Sequence, residues 1–354
     1  MPATIVECVP NFSEGRDRAK INAIADAVAG VPGVDLLNID IGHGANRTVM
    51  TFVGGPAEVA EAAFLAIAKA AEVIDMRLHH GTHPRLGATD VFPFVPVHGV
   101  TLAECAKIAR QVGRRVGEEL GVSVYFYEAA AEHSYRKKLA DIRHGQYEGL
   151  AEKLNDPRWK PDCGPAVFQP KTGATIIGAR ELLIAYNITL NTKDRQVASD
   201  IAGQLRESGR VARNATGQLV RRSGEFRACK AIGWYIEEYG RAQISLNLTD
   251  YRETPPHIVF ERAKQLAADR GLAVTGSEVI GMIPYAALLE AGKYYLRRDG
   301  RSLRVPPLDI LQAAVDALGL NDVQPFDISR KVLGLPPRLK CETAAEDGKT
   351  TNNQ

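Results

Sequence analysis

Apolar positions in the first half of the chain recur with two different periods. Strict alternation of apolar and polar residues indicates a half-buried strand, and apolar residues three and four positions apart indicate a helix with one buried face. The pattern predicts, in order, a strand at TIVECV, a helix from about Arg16, strands at VDLLNIDI and NRTVMTFV, a helix over PAEVAEAAFLAIAKAAEVI and a strand at VFPFVPV. The predicted order is βαββαβ.

The second half repeats this order without obvious repetition of sequence. Its predicted elements are a strand at LLIAYNITL, a helix over KDRQVASDIAGQLRESG, strands at CKAIGWYI and AQISLNLTD, a helix over PPHIVFERAKQLAADR and a strand at LAVTGSEVI. Two copies of one order predict an α+β protein with two ferredoxin-like subdomains, each a mostly antiparallel sheet with helices on one face. A cleft between them is the natural place for a ligand.

The predicted subdomains cover residues 1–181 and 182–330. Residues 331–354 follow as a polar stretch without periodicity, which we expect to be a disordered tail. The segment 125–178 fits neither copy, and we interpret it as a connection and a wall of the site.

Two stretches of that connecting segment carry candidate binding groups. YRKKLADIRHG collects Arg136, Lys137, Lys138 and Arg143, which predicts a helix with a solvated basic face or a receptor for a polyanionic ligand. CGPAVFQPKTGAT is a loop rich in proline and glycine, for which physical arguments alone favour a linker.

Composition narrows the class of protein. Apolar residues make up 45% and charged residues 24% of the 354 positions, as in ordinary globular proteins. The 44 basic and 42 acidic residues are spread along the chain and give a net charge of +2, so no broad field favours nucleic acid. Neither a membrane span nor a signal peptide is indicated. Five cysteines without a CxxC spacing indicate reduced thiols and a cytoplasmic location.

The stretch MRLHHGTHPRLGATDVFPF holds the strongest candidate for catalysis. His83 precedes Pro84, which disfavours helical backbone angles, and Gly81 and Gly87 flank it. A histidine on such a loop, with Arg85 two residues further on, has the parts of a proton-transfer site beside an anion holder.

Two other interpretations of this stretch remain open. A metal site needs at least three converging ligands, but His79 and His80 are adjacent and point to opposite sides of an extended chain. The sequence also lacks an HExxH motif. Alternatively, the histidines are ordinary solvated loop residues.

Polar residues also gather where two predicted strands end. ECVPNFSEG places Asn11 and Glu14 after the first strand, and NIDIGHGANRTV places Asp40 and Arg47 on either side of a glycine-rich turn. Taken by itself, each group is better explained by turn chemistry alone, because Asn, Ser, Asp and Gly are the usual turn residues.

Several motifs together resemble the formiminotransferase family, which comprises the first half of formiminotransferase-cyclodeaminases and stand-alone glutamate formimidoyltransferases. The motifs that carry the resemblance are VECVPNFSEG, NRTVMTFVG, HPRLGATDVFPF, GARELLIAYNI and AIGWYI. They are collinear up to about residue 330. The chain ends without the helical cyclodeaminase domain, so the resemblance implies transferase activity alone.

The resemblance implies transfer of the formimidoyl group of formiminoglutamate to N5 of tetrahydrofolate in histidine degradation, with folate in a tunnel between two subdomains. The motif histidine, which acts in proton transfer, falls on His83, and the assisting aspartate falls on Asp40. The folate-contacting loop falls on Gly164, Pro165, Ala166, Val167, Phe168, Gln169, Pro170, Lys171, Thr172 and Gly173.

These implications assign a role to the remaining polar residues. The substrates carry several carboxylates, for which guanidinium forks are the best partners, so we expect Arg85 and Arg47, with Asn11 and Glu14, to bind substrate. Lys171 or the basic cluster then lies near the folate tail, which can be polyglutamylated. The proposed chemistry needs no metal.

Alternatives from other functional classes remain. One is an ATP-dependent 5-formyltetrahydrofolate cyclo-ligase, although no GxxxxGK[ST] loop is present. Another is a folate-binding protein without catalysis. We expect small-molecule partners, no nucleic acid and no membrane, and an open sheet edge in each subdomain makes a homodimer plausible.

Overall fold

The computed structural model describes residues 4–213, 216–340 and 343 of the chain. The chain divides into two compact units, Met1–Leu182 and Leu183–Gln354. Within the described part of the chain, no helix is long and apolar enough to cross a membrane.

The first unit contains seven strands and five α-helices among its described residues. They are β1 (Ile5–Cys8), β2 (Asn11–Phe12), α1 (Arg18–Ala29), β3 (Val34–Gly42), β4 (Arg47–Gly54), α2 (Pro56–Val73), β5 (Thr89–His98), α3 (Leu102–Glu119), β6 (Ser123–Glu128), α4 (Leu139–Arg143), α5 (Leu150–Lys153) and β7 (Ala174–Ala179). Short 3₁₀ turns lie at Met76–Leu78, Ser134–Arg136 and Pro157–Trp159.

The sheet of the first unit has a ferredoxin-like centre. β1 and β2 both pair with β4 and β5, so they share one position in the sheet, and β3 pairs with β4 on the outer side. All of these pairings are antiparallel. The prediction of the βαββαβ order is confirmed.

Two strands that the sequence analysis missed extend this sheet. β7 pairs in parallel with β5, and β6 pairs in parallel with β7. The segment 125–178 is therefore not a mere connection, because its two ends form strands of the first sheet. Parallel pairing of segments far apart in sequence leaves no local turn signal that would have revealed it.

The two faces of the first sheet differ in character. α1, α2 and α3 cover one face over a core that includes Val6, Phe52 and Phe92. On the other face, Asp40 of β3 aligns with Val49 of β4, and Val49 aligns with Asn11 of β2. Side chains in one such row point to the same side of the sheet. Asp40 and Asn11 thus lie on the face away from those three helices.

The second unit repeats the ferredoxin-like order and adds helices after it. Its elements are β8 (Ile184–Leu190), α6 (Arg195–Leu205), β9 (Arg210–Arg213), β10 (Leu219–Arg222), β11 (Cys229–Ile236), β12 (Arg241–Leu248), α7 (Pro256–Ala268), β13 (Val274–Ile280), β14 (Ile283–Pro284), α8 (Tyr285–Arg298), α9 (Pro307–Ala317), α10 (Ile328–Lys331) and β15 (Val332–Leu333). The antiparallel sheet has the order β11-β12-β8-β13, and β9 and β10 form a separate hairpin.

These two units confirm the predicted α+β class with two subdomains. The expected cleft between them stays a prediction.

The expectation of a disordered tail from residue 331 is wrong for its first residues. β15 pairs with β14, and Leu335 and Leu339 are buried in the core of the second unit. The sequence analysis missed this segment because a few apolar residues separated by prolines have no detectable period. The remainder of the expected tail, residues 341–354 apart from Thr343, lies outside the described residues.

Candidate active site

The loop that carries His83 is fixed at its start by His79. The His79 side chain is buried, with Nε2 2.7 Å from the backbone oxygen of Asn46. The Nε–H group of Arg85 donates to Nδ1 of His79 over 3.3 Å. Because a guanidinium can only donate, Nδ1 accepts and Nε2 carries the proton, which defines a neutral imidazole. Burial, the main cause, lowers the pKa of His79 and favours this form. His79 is therefore a buried scaffold residue, while His80 is exposed.

Asn46 joins three loops at this point. Its φ of 48° is in the left-handed region, which asparagine tolerates better than most residues. Its Oδ1 accepts the N–H of Gly15 at 2.9 Å, and its Nδ2 donates to the backbone oxygen of His80 at 2.9 Å. A Cβ on Gly81 would lie 2.2 Å from the backbone oxygen of Ala45, so this approach requires glycine.

Asp90 fixes the other end of the loop. Its side chain is 1% exposed and accepts the N–H of Leu86 at 2.9 Å. Arg143 donates to Asp90 from Nε at 3.2 Å and also from Nη2. Ser13 adds two bonds, from Oγ to the backbone oxygen of Gly87 and from N–H to Ala88. The loop around His83 is thus held in one conformation by groups from three separate parts of the chain.

His83 is half-buried between these fixed points. Its pKa lies well below the ordinary histidine value, first because burial disfavours the charged ring and then because Arg47 and Arg143 bring positive charge near it. At neutral pH the ring is consequently uncharged and can accept a proton.

Arg47 is oriented by Asn11. Nη1 of Arg47 donates to Oδ1 of Asn11 over 3.1 Å. Arg47 precedes Val49 by two residues on β4, so it lies on the same sheet face as the row of Asp40 and Asn11. Arg47, Asp40 and His83 are all half-buried. Asn11 therefore positions an arginine whose charge acts on His83.

Arg85, predicted to hold a carboxylate of the substrate, lies in contact with a glutamate of the chain itself. Its guanidinium already binds a carboxylate, with Nη2 2.5 Å from Oε1 and Nη1 2.8 Å from Oε2 of Glu148. Nothing in the sequence pattern marks Glu148, because it lies 63 residues from its partner.

Glu14 fixes a turn of the chain. Its Oε1 accepts the N–H groups of Arg16 and Asp17 at 2.9 and 3.0 Å, and its Oε2 lies 3.5 Å from Nζ of Lys20. These bonds fix the turn that precedes α1. The prediction that Glu14 binds substrate stays a prediction.

The loop expected to contact folate belongs to the first unit and is not a linker. Gly164 and Gly173 have φ values of 79° and 64°, so each turn needs a left-handed residue. The hydroxyl of Ser123 donates to the backbone oxygen of Pro165 at 2.6 Å, and the hydroxyl of Tyr147 donates to that of Pro170 at 2.6 Å.

Between these attachments the loop reaches solvent. Val167 is 64% exposed, and Phe168 packs on Tyr147 with ring centroids 5.5 Å apart. Nζ of Lys171 donates to the backbone oxygen of Glu72 at 2.7 Å. The middle of the loop is thus exposed to solvent, while hydrogen bonds hold both of its ends.

The prediction of a solvated basic face over residues 136–143 is wrong for its arginines. Arg136 is buried, with Nη1 2.9 Å from Oδ1 of Asp162, and Arg143 binds Asp90. Lys137 and Lys138 are exposed. The sequence could not separate the two kinds of cation because their partners, Asp162 and Asp90, lie outside the cluster.

Among the residues that the structure describes, no group of three His, Cys, Asp or Glu side chains is arranged to hold a metal ion. The expectation of a reaction without metal stays a prediction.

Each of the two units matches its own part of one known protein family. Residues 5–180 match the formiminotransferase domain, N-terminal subdomain, and residues 185–335 match the formiminotransferase domain. The chain is 46% identical over 330 residues to a formimidoyltransferase-cyclodeaminase of Dictyostelium discoideum, which covers 93% of this chain and 59% of that protein.

Stand-alone relatives match over most of their own length. The chain is 43% identical over 299 residues to a glutamate formimidoyltransferase of Thermoplasma acidophilum, covering 84% of this chain and 94% of that protein. It is 41% identical over 295 residues to a glutamate formimidoyltransferase of Streptococcus pyogenes, covering 83% and 94%. The chain therefore spans about three fifths of the bifunctional relative but nearly the whole of the stand-alone ones.

Proposed function

Because this chain belongs to the formiminotransferase family, we propose that it transfers the formimidoyl group of N-formimidoyl-L-glutamate to N5 of tetrahydrofolate. The products are 5-formimidoyltetrahydrofolate and L-glutamate, and the reaction is a step of histidine degradation. Similarity over 94% of a stand-alone glutamate formimidoyltransferase supports this activity.

His83 acts as the proton shuttle in this proposal. N5 attacks the formimidoyl carbon, and the tetrahedral intermediate forms as the new carbon–nitrogen bond is made. N5 then loses a proton to the neutral imidazole. The imidazolium returns the proton to the glutamate nitrogen as the bond between that nitrogen and the formimidoyl carbon breaks.

The environment of His83 is the observation that carries this mechanism. A ring that is neutral at neutral pH is ready to accept the proton. Once protonated beside Arg47 and Arg143, the imidazolium is an unusually strong acid and readily protonates the leaving nitrogen. The fixed loop keeps the ring in place for both steps, so little reorganisation is needed.

The other predicted residues take supporting roles. Asp40 assists His83 from β3, and Arg47, positioned by Asn11, binds a carboxylate of the amino-acid substrate. Arg85 is the second carboxylate holder. The loop 164–173 contacts folate, and the exposure of its middle residues beside Tyr147 supports that assignment.

Location and assembly complete the proposal. We infer a cytoplasmic enzyme, which is supported by the free thiols of Cys8, Cys105, Cys163 and Cys229. We also infer a homodimer, because β3 and β11 lie at sheet edges of the two units and can pair with another chain.

One assay tests the activity. The purified chain is mixed with formiminoglutamate and tetrahydrofolate, and formation of the substituted folate is followed by absorbance with and without each substrate. Turnover that needs both substrates supports the proposal. No turnover by a folded protein would refute it, and turnover of 5-formyltetrahydrofolate that needs ATP would support a cyclo-ligase in its place.

A further inference from the structure

Arg85 and Glu148 form an unequal ion pair. The side chain of Arg85 is 7% exposed, while that of Glu148 is 62% exposed. The guanidinium donates two bonds to the carboxylate, one from Nε to the ring of the buried His79, and two longer ones, of 3.4 Å, to Oε1 of Gln146 and the backbone oxygen of His79. The charge of Arg85 is thus fixed in the protein, while its counterion reaches in from solvent.

Glu148 lies on a short segment bounded by two glycines, residues 145–149, which we call the strap. Gly145 has a φ of 84° and Gln146 a φ of 55°, so two successive residues adopt left-handed angles. A Cβ on Gly149 would lie 2.8 Å from the backbone oxygen of Gly145, so the strap closes tightly on itself. The left-handed angle at Gln146 carries conformational strain, because side chains other than glycine seldom adopt it.

The strap also contacts the loop 164–173. The N–H of Tyr147 donates to the backbone oxygen of Arg85 at 2.9 Å, and its hydroxyl donates to Pro170. The Tyr147 ring packs on Phe168 with centroids 5.5 Å apart. One residue of the strap therefore contacts the loop proposed for folate, and its neighbour fills the guanidinium fork of Arg85.

We propose that Glu148 is an internal substitute for the substrate's carboxylate, occupying the fork of Arg85 in the free enzyme until formiminoglutamate displaces it. The inference rests on the proposed function. The substrate is a glutamate derivative, so a glutamate side chain offers the fork the same chemical group that the substrate brings.

The exchange is balanced in charge. A buried guanidinium without a counterion is strongly unfavourable, so Arg85 needs a carboxylate before substrate arrives. Substrate replaces one carboxylate by another, and the displaced Glu148 moves into water, where it is already mostly exposed. Because Tyr147 adjoins Glu148, displacement of Glu148 also moves Tyr147, which donates a hydrogen bond to Pro170 and packs on Phe168. Binding of the amino acid thereby reshapes the loop for the second substrate.

The variant Glu148→Gln tests this role, because glutamine keeps the shape but binds the fork without charge. Removing an internal competitor raises the competent fraction of the enzyme, so KM for formiminoglutamate should fall roughly 3- to 30-fold. The inhibition constant of the product L-glutamate should fall by a similar factor. Glu148→Asp, which keeps the charge but shortens the reach, should give a smaller fall.

Glu225→Gln is the matched control. Glu225 also accepts two bonds from one arginine, Arg262, at 2.6 and 2.8 Å, but in the second unit. The KM of the Glu225→Gln variant for formiminoglutamate should equal that of the wild type. An unchanged or higher KM in Glu148→Gln, in a protein that folds and turns over, would overturn the inference and leave Glu148 a structural partner. Absence of turnover in the wild type would instead overturn the proposed function on which the inference rests. The two failures are therefore distinct.

Discussion

Replacement of Asp90 by asparagine tests whether the loop around His83 depends on a buried ion pair. In the native chain the carboxylate accepts one backbone N–H and two bonds from Arg143, whose side chain is 16% exposed. Asparagine can still accept the N–H of Leu86. It turns an amide donor or a neutral oxygen toward the guanidinium, which leaves the charge of Arg143 without its counterion.

The size of the effect follows from this burial. Removing one partner of a buried ion pair costs about 3–5 kcal/mol. Because Arg143 keeps some contact with water, we expect the lower end, about 3 kcal/mol of unfolding free energy. With a urea m-value of about 2 kcal/mol/M, the midpoint of unfolding should fall by about 1.5 M.

The two tryptophans allow the first unit to be followed separately. Trp159 lies in the first unit and Trp234 in the second. In a Trp234→Phe background, urea unfolding monitored by fluorescence reports on Trp159 and its unit. Glu61→Gln is the control, because Glu61 pairs with Arg115 where both side chains are well exposed, and such pairs contribute about 0.2–1 kcal/mol. Equal shifts of the midpoint in Asp90→Asn and Glu61→Gln would refute the reasoning.

The remaining predictions concern catalysis, titration and stability. His83→Ala should lower kcat by roughly 10²- to 10⁴-fold with folate binding nearly unchanged in calorimetry, and wild-type turnover would exclude His83 as the shuttle. The acid limb of the pH profile of kcat/KM should lie below the ordinary histidine pKa, since burial and two arginines disfavour the charged ring of His83. Arg47→Gln removes one of those charges and should move that limb to higher pH; an unmoved limb would contradict the assignment. Burial lowers the pKa of His257 to about 4. Between about pH 6.5 and 4 the folded second unit therefore binds fewer protons than its unfolded state. Its free energy of unfolding should fall by about 2 kcal/mol as the pH drops through this range. His257→Phe should flatten this dependence in unfolding followed by Trp234 fluorescence, and an equally steep dependence would show that other groups cause it.

The sequence by itself determined the βαββαβ order of the elements in each unit and the non-helical backbone at His83. Both follow from local physics: the period of apolar residues distinguishes strand from helix, and Pro84 disfavours helical backbone angles at His83. Several collinear motifs along the chain, HPRLGATDVFPF among them, were also sufficient to indicate the family.

Only the tertiary structure decided which charges are partners. Arg143 meets Asp90 across 53 residues, and Arg85 meets Glu148 across 63. Neither pair leaves a periodic signal, so a cluster such as residues 136–143 could be described from sequence only by its net charge. Likewise β6 and β7 join the first sheet by parallel pairing over long separations. Local preferences act within a few residues, whereas the protonation state of His83 and the occupancy of the Arg85 fork depend on groups that only folding brings together.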